Sequence, residues 1–529
     1  MLLHVLVLAP FVAALLVALV GGRGTSAYRL SLFSAAVLTV ASVALIAGGD
    51  VTTTAIDWFK LPGSDASVKY LLGSYTINAW LVFLSCVLSL AALVFGKSAT
   101  PEGEFKNFSV GILALLGTMN GAFLALDAVL FFFFFEAMVI PAALLMAAYG
   151  GKERKSAAMN FAIYTLVGSA PMAIALWYMV AKSGVTTAEG LFAFLQVQSI
   201  ETQTVLAVSF LIAFLVKTPI FPFHGWQAAA YAESPAPLSA ILTGAMSKVG
   251  VYGILIWVLS LFSLNETFFT TMLWLGLATA VYGGLMAWRG TDVKKILAFS
   301  SMGHLGLAVA AIFTLSPKMF PAVLVLLVGH GLSAGSLFLL SGVAERMTGT
   351  RELSKMGGLV KSKPVFGFLF GAAGIIALAV PGTAGFIGEF LVMLSLWDVG
   401  PLPTLVGAIC LVLSAAYMLR LIQGVIFGKS NQSEENSVQL GVLEGSVIGV
   451  FLFLLLLFGL RPGIIYENRT PENPETSVPA AEVVPADSLA VDSLALVNES
   501  MNTTETTVQT TDSLAKDSVK ANAEVTAND

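Results

Sequence analysis

Four ionisable residues stand inside long apolar stretches of this 529-residue chain, where a charge is costly. Glu136 ends the run FFFFFE, Lys217 precedes two prolines in FLVKTPIFPFHGW, and Lys248 lies in GAMSKVGVYG. Glu389 closes the segment PGTAGFIGE. A charged side chain in a membrane span costs about 2.5–3.5 kcal/mol on insertion scales and is a functional hypothesis by default. Lysine and glutamate exchange protons, so the chemistry they predict is proton transfer.

Two histidines lie along the chain between Lys248 and Glu389. His304 occurs in SSMGHLG and His330 in VGHGLSAG. Because histidine titrates near neutral pH, both are candidates for a proton relay, although a satisfied core histidine fits each position equally well. Glu136 and Lys217 are candidates for a switching pair, in which separation of the charges releases a proton from the lysine. The structural alternative is an ion pair or a side chain that reaches the membrane surface.

Composition indicates that these residues sit in a membrane. The chain is 57% hydrophobic and only 11% charged, with a mean hydropathy of +0.87. A membrane-spanning helix needs about 20 mostly apolar residues, and we count about fourteen such stretches. They do not alternate apolar and polar residues as the strands of a membrane barrel do. The sequence therefore predicts an all-α polytopic membrane protein with about fourteen transmembrane helices.

Two of the predicted spans are interrupted next to a charge. Pro219 and Pro222 follow Lys217, and Pro381 and Gly382 precede Glu389. Broken helices in transporters mark ion sites near the middle of the membrane, often at corresponding positions of two halves. Their spacing suggests an internal repeat of spans four to eight and nine to thirteen. We therefore divide the chain into helices 1–3 (1–107), a first repeat (108–260), a second repeat (261–430), helix 14 (431–463) and a tail (464–529).

The basic residues predict an orientation. With fourteen spans, the loops on one side hold 16 Lys and Arg and those on the other hold 5. Basic loops face the cytoplasm, so both termini are expected on the outer side of a bacterial inner membrane. Residues 464–529 carry 12 acidic and 3 basic residues and no long apolar run, which predicts a disordered acidic tail.

Several kinds of chemistry are excluded by what the sequence lacks. Cys86 and Cys410 both lie in apolar runs without a C-x-x-C pattern, and only four histidines occur in the chain. No H-x-x-x-H metal motif, P-loop or G-x-G-x-x-G turn is present. We therefore expect no metal, nucleotide or redox cofactor on this chain.

Five segments resemble the antiporter-like subunits of proton-pumping NADH:quinone oxidoreductase, respiratory complex I. They are FFFFFEAMVIP, FLVKTPIFPFHGW, ILAFSSMGHLGL, GHGLSAGSLFLLSG and PGTAGFIGEF. The resemblance covers roughly residues 70–430. A glutamate in GEF distinguishes one branch of these paralogous subunits, since the others carry lysine there.

The resemblance implies fourteen helices with two inverted five-helix repeats, and it implies roles for the matched residues. Glu136 and Lys217 match a glutamate–lysine pair, Lys248 a central lysine and Glu389 an exit glutamate of a proton channel. His304 and His330 match histidines of a connecting hydrophilic axis. NADH, FMN, iron–sulfur clusters and quinone are then expected in partner subunits, with neighbouring antiporter-like subunits as the main contacts.

One loop departs from the family pattern. After HGW the family usually reads Leu-Pro-Asp-Ala-His, whereas here Ala229 replaces the aspartate and Tyr231 the histidine, with Glu233 two residues on. Three alternatives stay open from the sequence: a subunit of a cation/proton antiporter or membrane-bound hydrogenase, a stand-alone transporter of an organic solute, and a scaffold without transport. An organic solute would require a polar cavity of its own size, whereas the sequence offers single buried charges.

Overall fold

The computed structural model describes residues 1–19, 25–49, 51–53, 55–61, 66–428 and 438–466. Residues 467–529, and with them nearly all of the predicted acidic tail, lie outside this part. The first half of the chain contains these helices: α1 (Leu2–Leu19), α2 (Thr25–Ala47), α3 (Thr76–Ala99), α4 (Phe105–Leu124), α5 (Ala128–Ala137), α6 (Val139–Tyr149), α7 (Arg154–Ser183), α8 (Ala188–Leu195), α9 (Ile200–Lys217), α10 (Gln227–Glu233), α11 (Ala236–Ile241) and α12 (Ser247–Gly253).

The second half begins at α13. Its helices are α13 (Glu266–Arg289), α14 (Val293–Ile312), α15 (Met319–Thr348), α16 (Leu359–Ser362), α17 (Pro364–Ala377), α18 (Ala384–Val399), α19 (Pro401–Ile426), α20 (Val442–Leu460) and α21 (Gly463–Tyr466), with a 3₁₀ turn at Leu353–Lys355. Side chains of Asp127, Asn265, Asp292 and Thr383 accept backbone amide bonds at the starts of α5, α13, α14 and α18. These caps satisfy helix amides that would otherwise lack a partner.

The predicted all-α membrane fold is confirmed. Thirteen helical segments of the described residues are long and apolar enough to cross a membrane. The fourteenth predicted span is the second broken one, which the structure divides into α17 and α18. Neither piece is long enough to be counted by itself, since a span needs about 20 residues. The inverted repeats and the boundaries at 107, 260 and 430 stay predictions.

Both predicted breaks are real interruptions of the helix. The first separates α9 from α10, where Pro219 and Pro222 provide no amide hydrogen. The second separates α17 from α18, where Ala379 and Gly382 have φ angles of 55° and 93°. At the first break, Trp226 donates its ring N–H to the carbonyl of Val216 at 2.9 Å. Such bonds within the protein are what allows non-helical backbone at membrane depth.

Two spans depart from simple helices in ways that the sequence analysis did not predict. The expected single helix at 127–149 is interrupted at Met138, because Pro141 cannot donate the amide bond that the Ala137 carbonyl would accept. The span that carries Lys248 contains two π-helical stretches, Leu242–Met246 and Ile254–Leu259, on either side of α12. π-helical turns are rare and are frequent at functional sites.

Four short strands, also not predicted, lie between α2 and α3. They are β1 (Val51–Thr52), β2 (Ile56–Lys60), β3 (Ser67–Tyr70) and β4 (Gly73–Ser74), in two antiparallel pairs, β1 with β4 and β2 with β3. The carboxylate of Asp127 accepts the amide of Lys69 at 3.0 Å and that of Leu130 at 3.0 Å. This side chain therefore attaches the β2–β3 hairpin to the start of α5.

Small residues bring α13 and α14 into backbone contact. A methyl group on Gly276 would lie 2.5 Å from the Ala310 amide nitrogen. One on Gly306 would lie 2.7 Å from the amide nitrogen of Ala280. Neither side can accommodate a larger residue, which is the usual pattern where membrane helices approach closely.

Candidate functional site

Lys248 and His330 are in direct contact in the middle of the described helices. The Nζ of Lys248 lies 2.8 Å from Nδ1 of His330, and it also donates to the backbone carbonyl of Thr243. Both side chains are buried, with Lys248 at 0% exposure. Because either nitrogen of the Lys248–His330 contact can carry the shared proton, this bond can transfer a proton without a change of partners.

His304 and Glu389 form the second contact. The Nε2 of His304 lies 3.0 Å from Oε1 of Glu389, and its Nδ1 lies 2.8 Å from the carbonyl oxygen of Ser300. A carbonyl oxygen only accepts, so Nδ1 carries a hydrogen and Nε2 is the atom that gains or loses one. The contact therefore holds one movable proton, which belongs either to an imidazolium beside a carboxylate or to a neutral carboxyl beside a neutral imidazole.

The two contacts are neighbours. The rings of His304 and His330 have centroids 5.1 Å apart, with an interplanar angle of 35°. Both rings and Glu389 line a cavity of ≈ 10 Å³ beside the second helix break. A cavity of about 10–15 Å³ is the room that one water molecule needs. Lys248, His330, His304 and Glu389 therefore form a continuous polar line across α12, α15, α14 and α18, called here the central polar line.

Two glycines let α18 pack close enough to α15 for Glu389 to reach the central polar line. A methyl group on Gly388 would lie 2.7 Å from the Cα atom of Leu326, on α15. One on Gly329 would lie 3.2 Å from the backbone of Ala384, at the start of α18. The two helices consequently meet at backbone distance, and Glu389 reaches His304 from the second turn after the break.

Glu136 and Lys217 are arranged differently. Lys217 ends α9, is 1% exposed, and donates to the carbonyl of Phe135 at 3.2 Å. Its Nζ also lies 4.4 Å from the centre of the Phe135 ring, within the range of a cation–π contact. Both carboxylate oxygens of Glu136 are buried; neither makes a hydrogen bond of good geometry among the described residues, and the side chain of Ser169 faces the carboxylate. The structure thus places Glu136 and Lys217 close to each other without a hydrogen bond or an ion pair between their side chains.

A glycine on the helix that carries Lys248 packs against the helix break that follows Lys217. Gly250, on α12, faces the first helix break, where a methyl group would lie 2.2 Å from Oγ1 of Thr218 and 2.6 Å from the carbonyl of Phe214. The Thr218 hydroxyl is buried and has no hydrogen-bond partner among the described residues. No described hydrogen bond joins Lys217 to the central polar line.

A polar cavity of ≈ 460 Å³ lies at the ends of several helices and was missed by the sequence analysis. Its lining includes Glu233, Lys294, Glu345, Arg346 and Arg351. These residues are distant in sequence: Glu233 ends α10, Lys294 lies in the first turn of α14, Glu345 and Arg346 lie in the last turn of α15, and Arg351 follows that helix. The only signal in the sequence was the common side that the distribution of basic residues predicts for the three cations. The cavity therefore gathers charges from several helix ends into one site.

Ion pairs connect the charged residues at this cavity. Arg351 bonds Glu233 at 2.9 Å and Asp292 at 3.3 Å, and Lys294 bonds Glu345 at 2.9 Å. Burial alone would raise the pKa of Glu233, but the hydrogen bond and positive charge of Arg351 outweigh it and leave that pKa below its usual value. Burial likewise lowers, and these carboxylates more strongly raise, the pKa of Arg351. Glu233 is thus an ion-pair residue of the cavity.

Thirteen helical spans and the interrupted α17–α18 segment among the described residues, together with a buried lysine–histidine–glutamate line, define an antiporter-like membrane subunit. The chain belongs to the family described as NADH:quinone oxidoreductase/Mrp antiporter, whose profile matches residues 125–419. It is 31% identical over 488 residues to NADH-quinone oxidoreductase subunit M of Rhodobacter capsulatus, covering 89% of this chain and 95% of that protein. Subunit M is the branch that the glutamate in GEF predicts.

Solved structures give the same fold. A chain of respiratory complex I from Thermus thermophilus with bound NADH matches with a TM-score of 0.79 and 28% identity, covering 88% of this chain and 97% of that chain. A chain of the Mrp complex from a Dietzia species matches with a TM-score of 0.76, covering 88% and 95%. Its identity of 20% supports a shared fold only.

Proposed function

We propose that this chain is a proton-translocating membrane subunit of NADH:quinone oxidoreductase, driven by electron transfer in other subunits. The observation that carries the proposal is the central polar line, in which Lys248, His330, His304 and Glu389 follow one another within contact distance. Ionisable groups inside a membrane are energetically costly, so four of them in one connected line favour a function for that line.

The line supports a simple sequence of proton movements. A proton leaves Lys248 for Nδ1 of His330, which produces a neutral amine and an imidazolium. The imidazolium gives its other ring proton to a water in the small cavity, and that water passes a proton to the Glu389–His304 contact. Release of a proton from that contact to the opposite side leaves Lys248 as a neutral amine and His330 with its hydrogen on Nδ1. Uptake of a proton by Lys248 and return of the His330 hydrogen from Nδ1 to Nε2 restore the starting state, so that one proton enters for each one that leaves.

We assign Glu136 and Lys217 to the switching step. In the described conformation the lysine bonds a backbone carbonyl, while neither oxygen of the carboxylate makes a hydrogen bond of good geometry among the described residues. A movement that joined the two side chains would favour a proton on Lys217, and their separation would release it. Electron transfer in the partner subunits would supply the free energy for that movement.

The surroundings of the chain belong to the same proposal. NADH, FMN, iron–sulfur clusters and quinone are expected in partner subunits and no redox cofactor on this chain. Neighbouring antiporter-like subunits are the expected contacts. The charge bias of the loops supports a bacterial inner membrane location with both termini outside. Names of the curated relatives favour this assembly over a cation/proton antiporter or a membrane-bound hydrogenase.

The experiment is NADH-driven proton uptake in inverted membrane vesicles that contain the assembled complex with Lys248→Ala. Removal of the amine interrupts the line, and we expect uptake to fall by about a hundredfold, the lower end of acid–base contributions. Lys182→Ala is the matched control, because Lys182 is exposed at the end of α7. Normal uptake in an assembled Lys248→Ala complex contradicts the proposal. Native membranes without NADH-linked uptake indicate one of the related assemblies.

A further inference from the structure

The first helix break is bonded to a side chain of α13. The amide of Phe221, in the non-helical segment between α9 and α10, donates to Oγ1 of Thr279 at 3.2 Å. The Thr279 hydroxyl donates its hydrogen to the Leu275 carbonyl, one helical turn earlier, at 2.8 Å. Thr279 is buried, at 0% exposure. Because a hydroxyl has one donor and two acceptor positions, this side chain can bond its own helix and the break at the same time.

Tyr282 contacts the same break one turn further along α13. Its hydroxyl lies 3.2 Å from Nε2 of His224, and the centroid of its ring lies 5.3 Å from that of the Phe221 ring. Thr279 and Tyr282 are three residues apart, so they share one face of the helix. The non-helical segment therefore contacts this face of α13 at two places.

The non-helical segment is also bonded back to the end of α9, which carries Lys217. The ring N–H of Trp226 donates to the Val216 carbonyl at 2.9 Å. The amide of Ile220 donates to the Leu215 carbonyl at 2.9 Å. Lys217 follows Val216 directly in the chain. A displacement of the break consequently displaces the backbone that carries the Lys217 side chain.

On its other side, α13 packs tightly against α14, the helix of His304. A methyl group on Gly283 would lie 2.8 Å from the amide nitrogen of Gly303, the residue before His304. Gln227, the first residue of α10, donates from Nε2 to the Ala298 carbonyl on α14 at 2.9 Å. The first break is thus joined to the helix of His304 by side-chain hydrogen bonds and by close backbone packing.

We propose that Thr279 is a positioning residue for proton translocation, which holds the first helix break, and with it Lys217, at a fixed position relative to α13 and α14. The inference rests on the function proposed above. It adds that the movement assigned to Glu136 and Lys217 reaches the central polar line through α13. Thr279 itself takes up and releases no proton, because its hydroxyl hydrogen stays on the Leu275 carbonyl.

The test begins with Thr279→Val, which keeps the shape of the side chain and removes the acceptor of the Phe221 amide. Proton uptake per NADH oxidised is measured in inverted vesicles that contain the assembled complex, together with NADH oxidation in the presence of an uncoupler. We expect uptake per NADH to fall about three- to fivefold, the change in population that loss of one neutral hydrogen bond produces. Uncoupled oxidation should stay at the wild-type rate, since electron transfer takes place in other subunits.

Two further variants show whether the hydroxyl is the cause. Thr279→Ser restores the acceptor and should restore uptake; uptake that stays low in Thr279→Ser contradicts the inference. Thr271→Val is the matched control, because Thr271 is an exposed threonine of the same helix whose hydroxyl also donates to a carbonyl one turn earlier, at 2.7 Å. Uptake with Thr271→Val should equal that of the wild type, and an equal loss in both valine variants contradicts the inference.

A double variant tests whether Thr279 acts through Lys217. Uptake with Lys217→Ala and Thr279→Val together should equal uptake with Lys217→Ala alone, because the break then no longer carries the amine that Thr279 positions. Independent roles would make the two losses multiply, and that result contradicts the inference.

Lys248→Ala separates failure of this inference from failure of the proposed function. Normal uptake with Thr279→Val but not with Lys248→Ala overturns the role of Thr279 and leaves the proposed function intact. Normal uptake with both overturns both. If Thr279→Val does not assemble, Thr279→Ala provides a second side chain without a hydroxyl, and the inference requires low uptake with normal uncoupled oxidation there too. Equal losses of uptake and uncoupled oxidation indicate a structural role and contradict the inference.

Discussion

The two groups of buried charges differ in how they are connected. In the central polar line each side chain has a polar neighbour, from Lys248 through His330 and His304 to Glu389. Lys217 instead bonds a backbone carbonyl, and the oxygens of Glu136 make no hydrogen bond of good geometry among the described residues. A connected line can pass a proton with side chains in place, whereas a separated pair has to move first. The comparison suggests a path in one region and a switch in the other.

Loss of the Glu389 carboxylate, at the end of the central polar line, should have the largest effect on proton uptake. Glu389→Gln keeps the shape of the side chain but cannot take the proton from His304. We expect NADH-driven proton uptake in inverted vesicles to fall by about a hundredfold, as when an acid–base group is lost. Glu189→Gln, at an exposed glutamate of α8, is the control. Uptake equal to wild type in the assembled Glu389→Gln complex would remove Glu389 from the path.

Removal of Lys217 should have a smaller effect. Lys217→Ala leaves the central polar line complete and removes only the cation of the separated pair. We therefore expect about a five- to tenfold loss of uptake, below the loss at Glu389, since the switching step slows while the path remains. Uptake and assembly are measured in the same vesicles, with Lys182→Ala as control. A loss as large as that of Glu389→Gln would show that the two regions form one path already in this conformation.

The smallest effect on proton uptake is expected at the contact between α12, which carries Lys248, and the helix break that follows Lys217. A methyl group in Gly250→Ala would press on Thr218 and on the Phe214 carbonyl, so α12 has to move away from the first break. Overpacking of this kind costs about 1–3 kcal/mol, and we expect a lower thermal unfolding temperature with less than a threefold change in uptake. Gly449→Ala is the control, because no atom lies within 4 Å of the added methyl. An unchanged unfolding temperature for Gly250→Ala would contradict the close packing.

Much of the fold could be predicted from the sequence, because membrane spans are local. Apolar length is sufficient to place a helix, and prolines next to a charge marked both breaks. The β2–β3 hairpin was missed because its strands are only five and four residues long and β2 is exposed throughout. The π-helical stretches were missed because a run such as Leu242–Met246 has no distinctive composition.

The candidate site was predictable as a set of residues but not as a set of contacts. Buried charge alone marked Lys248 and Glu389, whereas the partners depend on helices brought together from distant segments. Lys248 and His330 are 82 positions apart in the chain. The pair of Glu136 and Lys217 stays a prediction, since its members lie near each other without bonding. The contacts of Arg351 were not predicted, because nothing in the sequence shows that Glu233, Asp292 and Glu345 lie around it.

The close seam between α13 and α14 has a mechanical consequence. Gly276 and Gly306 meet the opposite backbone, so α14 can neither slide nor rotate against α13 without collision. The helix that carries Glu389, α18, meets α15 just as closely at Gly388 and Gly329. The 3.0 Å contact of His304 with Glu389 therefore joins two helices that are each held by backbone packing, and the spacing of the two side chains is set by the backbone.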